Sequence, residues 1–320
     1  MLPTHASAPP SRYGPAAPEG HARPVLSIII VGWNCGGHLE ACLTALGAHP
    51  PSRPFEIIVV DNASTDGTAA LVRQRFPTVR VIQNARNVGF QRGNNQGLAV
   101  ARGDRFLLLN PDTAVLAGSL DTLLDALDSH PDIGAVSPRC VYPDGRLQWS
   151  VAPFPSLSIM RAWFQAAHPR LIRLAGLRPA GGAPPADLPS REQDYAYGGC
   201  LAVKREVVEA VGPMDEGFFV AGGEIAWSRE MQRHGWKTYF VAEATIVHRE
   251  SVTRASRGWV SELDWVLAHR RLLYLYDGLR SGVIGDLLFS AHLCLRAGQA
   301  LWGRFAWRRP PGTGERAGSL

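Results

Sequence analysis

The chain of 320 residues is 46% apolar and 19% charged, ordinary globular values with room for one large domain and appendages or for two small ones. Its five cysteines (Cys35, Cys42, Cys140, Cys200, Cys294) are odd in number, far apart and without a C-x-x-C pair, which argues against a disulfide framework or structural zinc and fits a reducing cytosol. The net charge of +5 is concentrated from Arg249 onward, where 11 arginines and no lysine face 6 acidic residues; with no nucleic-acid module beside it, this tail suits an anionic surface rather than DNA or RNA.

Residues 1–24 are rich in Pro, Ala, Ser and Gly and lack the apolar run of a signal peptide, so they read as a disordered leader. No apolar stretch is long enough to span a bilayer. Val25 to Val31 is a β-branched run that ends at Gly32-Trp33-Asn34, a first buried strand and its turn. Leu39, Cys42, Leu43 and Leu46 follow at helical spacing. Phe55 to Val60 is a second strand ending at Asp61-Asn62, and Ala63 to Thr68 supplies turn and capping residues for a helix carrying Leu71, Val72, Arg75 and Phe76. Val79 to Ile82 is a short third strand, and Gly93 opens a further helix.

Phe106-Leu107-Leu108-Leu109 reads as the end of a strand buried on both faces. Asn110-Pro111-Asp112-Thr113 stops it, because proline cannot continue the ladder. Taken alone, this turn reads as a β-to-α connection whose aspartate caps the next helix. That helix shows Leu120, Leu123, Leu124 and Leu127, the stripe of a face packed on a sheet. Three strand–helix repeats imply a parallel, helix-covered sheet with right-handed crossovers, which aligns the carboxyl ends of the strands on one edge. Asn34, Asp61 and Asp112 each stand at such an end, where open α/β sheets place ligand chemistry. The first strand is followed by neither G-x-G-x-x-G nor a P-loop, which disfavours a dehydrogenase or P-loop enzyme. A nucleotidyltransferase would want a basic glycine-rich loop there, and Gly32 to Gly37 carries no basic residue.

The second half opens with a strand over Ile133 to Val136 and a Pro143-Asp144-Gly145 turn. An amphipathic helix is expected over Pro155 to Phe164 and a loop near Gly181 to Pro185. Tyr197 to Val203 returns to strand; its Gly198-Gly199 pair suits either a close backbone approach to ligand or a bulge. A helix from Gly223 to His234, a strand from Tyr239 to Val241 and a last strand, Thr245 to His248, follow. Beyond them Leu263, Val266, Leu267 and Leu272 to Tyr276 form helical stripes with Arg270, Arg271 and Arg280. Leu287 to Leu295 and Leu301 to Trp307 extend the pattern.

Val59-Val60-Asp61-Asn62-Ala63-Ser64-Thr65-Asp66-Gly67, Asn87-Val88-Gly89-Phe90 with Gly93-Asn94-Asn95-Gln96-Gly97, and Leu107 to Thr113 together resemble, in order and spacing, the family 2 inverting glycosyltransferases. Within that family they are most similar to the rhamnosyltransferase-like branch that builds bacterial cell-surface polysaccharides. Phe218-Phe219 and Gly235-Trp236 to His248 continue the match, which runs from about Leu26 to Thr253. The resemblance implies a GT-A fold, an α/β architecture with a mostly parallel sheet, over residues 25–253, divided into a nucleotide-sugar half (25–138) and an acceptor half (139–253), with a basic amphipathic helical tail over 254–320.

It also implies a nucleotide-sugar donor, a glycan or polyprenyl-linked acceptor and a divalent cation, Mg²⁺ or Mn²⁺. By position Asp61 would contact the base or ribose, with Asn34 lining the same pocket. Asn94, Asn95 and Asn110 would belong to the donor side, although structural roles suit Asn94 and Asn95 equally. Asp112 matches the last aspartate of the D-x-D-type motif and would hold the cation on the diphosphate, a hard ion on oxygen ligands. His248 would complete the metal site or touch the diphosphate, or else is a histidine bonded to backbone. Glu224 falls where the base is expected, while Gly223 and Ala226 replace the flanking acids. Without those acids Glu224 is expected to escape like-charge repulsion, so that its pKa is not raised. A second reading is a homologue that binds nucleotide-sugar or polysaccharide without turnover. Rhamnose from a dTDP donor is the expected sugar. The arginine-rich tail, with Trp302, Phe305 and Trp307, suits either a helix at the headgroups of an anionic membrane, at the inner face of the cell membrane, or a helical subdomain packed on the core.

Overall fold

The computed structural model describes residues 24–148, 151–168, 173, 188–196, 198–249 and 259–306, with side chains through Gly298. The leader, the Gly181 to Pro185 loop, Tyr197 and Trp307 lie outside the described residues, as do the side chains of Trp302 and Phe305. Two compact units are present: one takes the chain through Phe154 together with Ala183–Ala268, the other Pro155–Gly182 with His269 onward.

The first unit is a nine-stranded sheet in the order β3-β2-β1-β4-β8-β6-β9-β5, with β7 paired to β9. The strands are β1 (Leu26–Gly32), β2 (Phe55–Asp61), β3 (Arg80–Gln83), β4 (Arg105–Leu109), β5 (Thr113–Val115), β6 (Ile133–Val141), β7 (Arg191–Gln193), β8 (Cys200–Lys204) and β9 (Lys237–His248). The run β1 to β4 is parallel, as three strand–helix repeats require. β8 enters antiparallel between β4 and β6, which restores the first direction to β6 and its parallel partner β9. Successive residues of β1 and β4 face opposite layers. Ile28, Ile30, Leu107 and Leu109 pack with α1 (Gly36–Ala48), α2 (Thr68–Arg75) and α4 (Ser119–Asp128). Ile29, Val31, Phe106 and Leu108 pack with α3 (Phe90–Val100), α6 (Arg205–Val211) and α7 (Gly223–Arg233).

Several elements differ from the sequence expectation. Helix α3 begins at Phe90 and not at Gly93. Its Gly93 and Gly97 instead face the sheet, where a Cβ would collide with Val31 and Ile29, so those glycines bring the helix close to β1. Asp112 does not cap α4: Gly118 does, and β5 intervenes. The strands expected over Tyr239 to Val241 and Thr245 to His248 are one strand, interrupted by a register shift opposite Pro138/Arg139 that leaves Ala242 to Ala244 unpaired with β6. A proline that cannot donate to the ladder accounts for that bulge.

The second unit contains α5 (Leu157–Ala167), a π-helical turn over Leu273–Asp277 and α9 (Gly278–Ala306); α8 (Trp259–Leu272) runs across the boundary between the units. Leu275, Leu279, Val283 and Leu287 recur every four residues and are exposed, Leu279 at 73% and Leu287 at 68%. Arg271 and Arg280 are exposed on the same stretch. No helix among the described residues is long and apolar enough to cross a membrane.

Candidate active site

The strand order fixes where the site lies. The chain builds outward from β1 through β2 to β3, then returns to the other side of β1 as β4, so the crevice opens between β1 and β4 at their carboxyl ends. Gly32 and Asp61 are register partners at that edge, and Leu109 pairs with Ile30. The Asn110-Pro111-Asp112 turn is tied down there: Asn110 N–H donates to the Gly199 carbonyl (3.0 Å), and the Thr113 hydroxyl donates to the Asn110 carbonyl (2.7 Å). Thr113 then enters β5 directly opposite His248. Asp112 is thereby carried to the end of β9, where its backbone carbonyl accepts from Arg249 N–H at 3.1 Å.

The result is a carboxylate and an imidazole side by side. Asp112 Oδ1 lies 3.2 Å from His248 Nε2, and both side chains are buried. Asn110 Nδ2 stands 3.3 Å from the same ring nitrogen. The other ring nitrogen, Nδ1, lies 3.0 Å from Gln148 Oε1. Gln148 is itself oriented, because its Nε2 donates to the His248 carbonyl at 2.5 Å and so turns Oε1 toward the ring. Gln148 Oε1 is thereby offered to Nδ1 as an acceptor, and Nε2 faces Asn110 Nδ2 and Asp112 Oδ1.

Asn110, Asp112 and His248 share one cavity of about 280 Å³ with Glu224, Gly198, Gly199, Asp264 and Trp265. Gly222, at φ +87°, caps α7 and starts the helix turn from which Glu224 projects. Gly198 gives that carboxyl its room: a Cβ there would sit 3.2 Å from Glu224 Cδ. The expectation that Glu224 keeps an unraised pKa is corrected by the structure. Burial first, and then the negative charge of Asp264, push it up to about 7. Ala226 removes one like charge in sequence, but α8 restores one in space.

The remaining expected residues occupy other places. Asp61 is fully buried; its Oδ2 accepts from Ser64 N–H (3.2 Å), and its Oδ1 has no hydrogen-bond partner. Asn34, at φ +50°, donates its N–H to Ser64 Oγ (2.8 Å) and accepts from Thr65 N–H at Oδ1 (2.7 Å), so it pins the loop after β2. Asn94 is buried in α3 and donates to the Phe90 carbonyl. Asn95 clamps the turn before the aromatic pair, exchanging two bonds with Met214 backbone and reaching Glu216. None of these four lines the cavity. The motif around Asn87 docks on Phe219, whose carbonyl accepts from Phe90 N–H at 2.6 Å; Gly89, at φ +91°, is required because a Cβ would strike that same carbonyl. Sequence reasoning missed Gln148, Ser261, Asp264 and Trp265. Only their polar or aromatic character inside otherwise apolar patterns marked them.

Residues 27–181 match the family described as Glycosyl transferase family 2. The N-acetylglucosaminyl-diphospho-decaprenol L-rhamnosyltransferase of Mycobacterium tuberculosis is 28% identical over 296 residues, 85% of this chain and 94% of that protein. The O-antigen biosynthesis protein RfbC of Myxococcus xanthus is 26% identical over 86% of this chain, which spans 20% of that longer protein. The solved structure of the mannosyltransferase PcManGT from Pyrobaculum calidifontis, in complex with GDP-Man and Mn²⁺, superimposes with a TM-score of 0.55 at 19% identity, covering 91% of this chain and 82% of that one. That likeness shows the GT-A fold. Residues 27–181, from β1 through the turn that carries Asp112 and beyond, thus form a family 2 glycosyltransferase segment.

Proposed function

We propose that this glycosyltransferase moves a sugar from a nucleotide-sugar donor to a glycan or lipid-linked acceptor of a cell-surface polysaccharide, with inversion at the anomeric carbon and with the help of Mg²⁺ or Mn²⁺. Rhamnose from a dTDP donor is the sugar we assign, following the name of the M. tuberculosis relative. The observation that carries this reading is the placement of Asp112 and His248 in one cavity with Glu224.

Asp112 Oδ1 and the Nε2 lone pair of His248 fit a divalent cation of the hard or borderline class. Among the described residues no cluster of three or more His, Cys, Asp or Glu side chains offers a full cage. That suits a site in which the diphosphate and water complete the shell. Mn²⁺ is named with the PcManGT structure. When bound, such a cation neutralises charge on the departing diphosphate without a proton donor.

The chain's own groups do the rest. Asp61 Oδ1 is buried without a partner and stands outside this cavity, so it can accept from an N–H or O–H of the base or ribose only when the loop after β2 opens to admit the nucleotide. Glu224 takes the proton of the acceptor hydroxyl as that oxygen bonds to the anomeric carbon; on the opposite face the bond to the diphosphate oxygen breaks and its electron pair leaves with the diphosphate. The exposed Leu275, Leu279, Val283 and Leu287 beside Arg271 and Arg280 suit the headgroup layer of an anionic membrane, where a lipid-linked acceptor resides.

A thermal-shift panel of nucleotide-sugars with and without Mn²⁺ tests the reading, since a donor that binds only the folded state raises the melting point. The expected result is a shift by one donor that depends on Mn²⁺. No shift by any nucleotide-sugar, or pyrophosphate as product, overturns it. Binding with acceptor present but no release of nucleoside diphosphate favours the non-catalytic homologue suggested by Gly223 and Ala226.

A further inference from the structure

Helix α8 presents two faces. Its apolar residues Leu263 and Leu267 are exposed, at 45% and 51%. Ser261, Asp264, Trp265 and Ala268 stand at i, i+3, i+4 and i+7, one face of the helix. The first three line the cavity that holds Glu224. Ala268 packs on the α7 cap, where a Cβ at Gly222 would lie 3.1 Å from it. Asp264 Oδ2 accepts from Ala221 N–H at 2.9 Å, and its other oxygen has no protein partner among the described residues. A helix outside the family match thus brings a carboxylate and an indole to the base.

Chemistry narrows what this face receives. Asp264 and Glu224 are two carboxylates, and they repel a diphosphate, so the nucleotide end of the donor is excluded here. No three-residue metal-binding group includes them among the described residues. A half-buried carboxylate accepts hydrogen bonds from hydroxyls, and an indole covers an apolar C–H face; a sugar ring offers both at once. A serine or threonine acceptor offers one hydroxyl and no ring face to stack on an indole.

We infer that Ser261, Asp264 and Trp265 form the subsite for a sugar ring of the acceptor, so that the attacking hydroxyl is carried by a carbohydrate. This rests on the glycosyltransferase reading above and names the chemical class of its acceptor. Asp264 and Trp265 hold the ring while Glu224 takes the proton.

The test uses the full chain with saturating dTDP and Mn²⁺. A panel of methyl glycosides of N-acetylglucosamine, glucose, galactose, mannose and rhamnose is read by saturation-transfer NMR. The wild-type protein should saturate the ring protons of at least one glycoside. Asp264→Asn, which keeps an oxygen for Ala221 N–H, should weaken that binding about tenfold, the loss of a charge-assisted hydrogen bond. Trp265→Ala should weaken it by a similar factor, and both variants should bind dTDP as the wild type does, which also shows that they are folded. Wild-type protein that saturates no glycoside, or variants that both bind glycoside normally, overturn the subsite and leave the glycosyltransferase reading intact. Wild-type protein that binds none of dTDP, UDP or GDP overturns that reading, and the subsite with it.

Discussion

Gln91 occupies the space that a side chain at Gly223 would need. An ideal Cβ on Gly223 overlaps the Gln91 side-chain amide, and Gln91 is fully buried with its Nε2 donating to the Val220 carbonyl at 3.1 Å. The start of α3 and the start of α7 are therefore coupled, and the acid that the family places at position 223 is replaced by a neutral amide reaching across from position 91. Gly223→Ala should cost about 1–3 kcal/mol, the price of overpacking a filled core. In a Gln91→Ala background that cost should largely vanish, because contacting residues are non-additive. Urea unfolding of the four proteins measures it; equal costs in both backgrounds would mean that the two side chains do not compete.

A second prediction concerns the ring behind the carboxylate. Gln148 fixes the His248 tautomer through two bonds that close on one residue. Gln148→Met removes both, so the ring is free to present Nε2 with its proton on. Loss of such an outer partner typically weakens a metal site about 10- to 100-fold. The electron paramagnetic resonance signal of free Mn²⁺, titrated with protein and dTDP, reports the affinity. An unchanged titration would place His248 outside the metal site.

Asp112→Asn makes the complementary test. The side chain keeps its size beside His248, so the melting point without ligands should stay near that of the wild type. Turnover should fall on the order of a thousandfold or more, because a cation on the leaving group contributes several kcal/mol. The Mn²⁺-dependent part of donor affinity should disappear. A variant whose donor binding still responds to Mn²⁺ would remove Asp112 from the assignment.

Much of this was legible in sequence, for identifiable reasons. β1 and β4 are buried on both layers and read as apolar runs over Ile28 to Val31 and Phe106 to Leu109; the Leu120 to Leu127 stripe announced the packed face of α4. The three-residue strands β5 and β7 carry no periodicity, and the β9 bulge over Ala242 to Ala244 imitates a loop. At the site, Asp112, His248 and Glu224 were marked by their motif positions. Gln148 and Asp264 act through partners 100 and 43 residues away along the chain, and the fold alone brings those pairs together. Asp264 was further hidden in a segment whose arginines and leucines drew attention to its surface.

That surface gives the fourth prediction. Leu275, Leu279, Val283 and Leu287 are each at least 47% exposed, with Arg280 among them. The full chain should float with vesicles containing anionic lipid at low salt, and less so as salt screens the arginines. Leu279→Asp with Leu287→Asp should abolish flotation while leaving transfer to a soluble acceptor unchanged. Absence of binding at low salt would assign these helices a role in protein packing instead.

The fifth prediction is the pH behaviour of Glu224. In the folded protein its pKa is raised to about 7, by burial first and by Asp264 second, with Tyr195 a further neighbour whose own hydroxyl is held protonated by burial and by the Glu224 charge. A base must be ionised to act, so kcat/KM should climb through a single inflection near 7 as pH rises. Replacing Asp264 by Asn removes a like charge and should move that inflection to lower pH. The same shift has a consequence for stability with a definite sign. Between the ordinary carboxyl range and about 7 the unfolded chain releases this proton while the folded chain keeps it, so stability falls as pH rises through that window. Glu224→Gln should flatten that part of the stability curve and leave the variant more resistant to unfolding at pH 8 than the wild type. It should also lose about a hundredfold or more in turnover, because the amide cannot take the proton, with donor affinity unchanged. A variant that gains stability yet keeps its turnover would show that the buried carboxyl is only a local cost to the fold, and that the proton leaves by another residue.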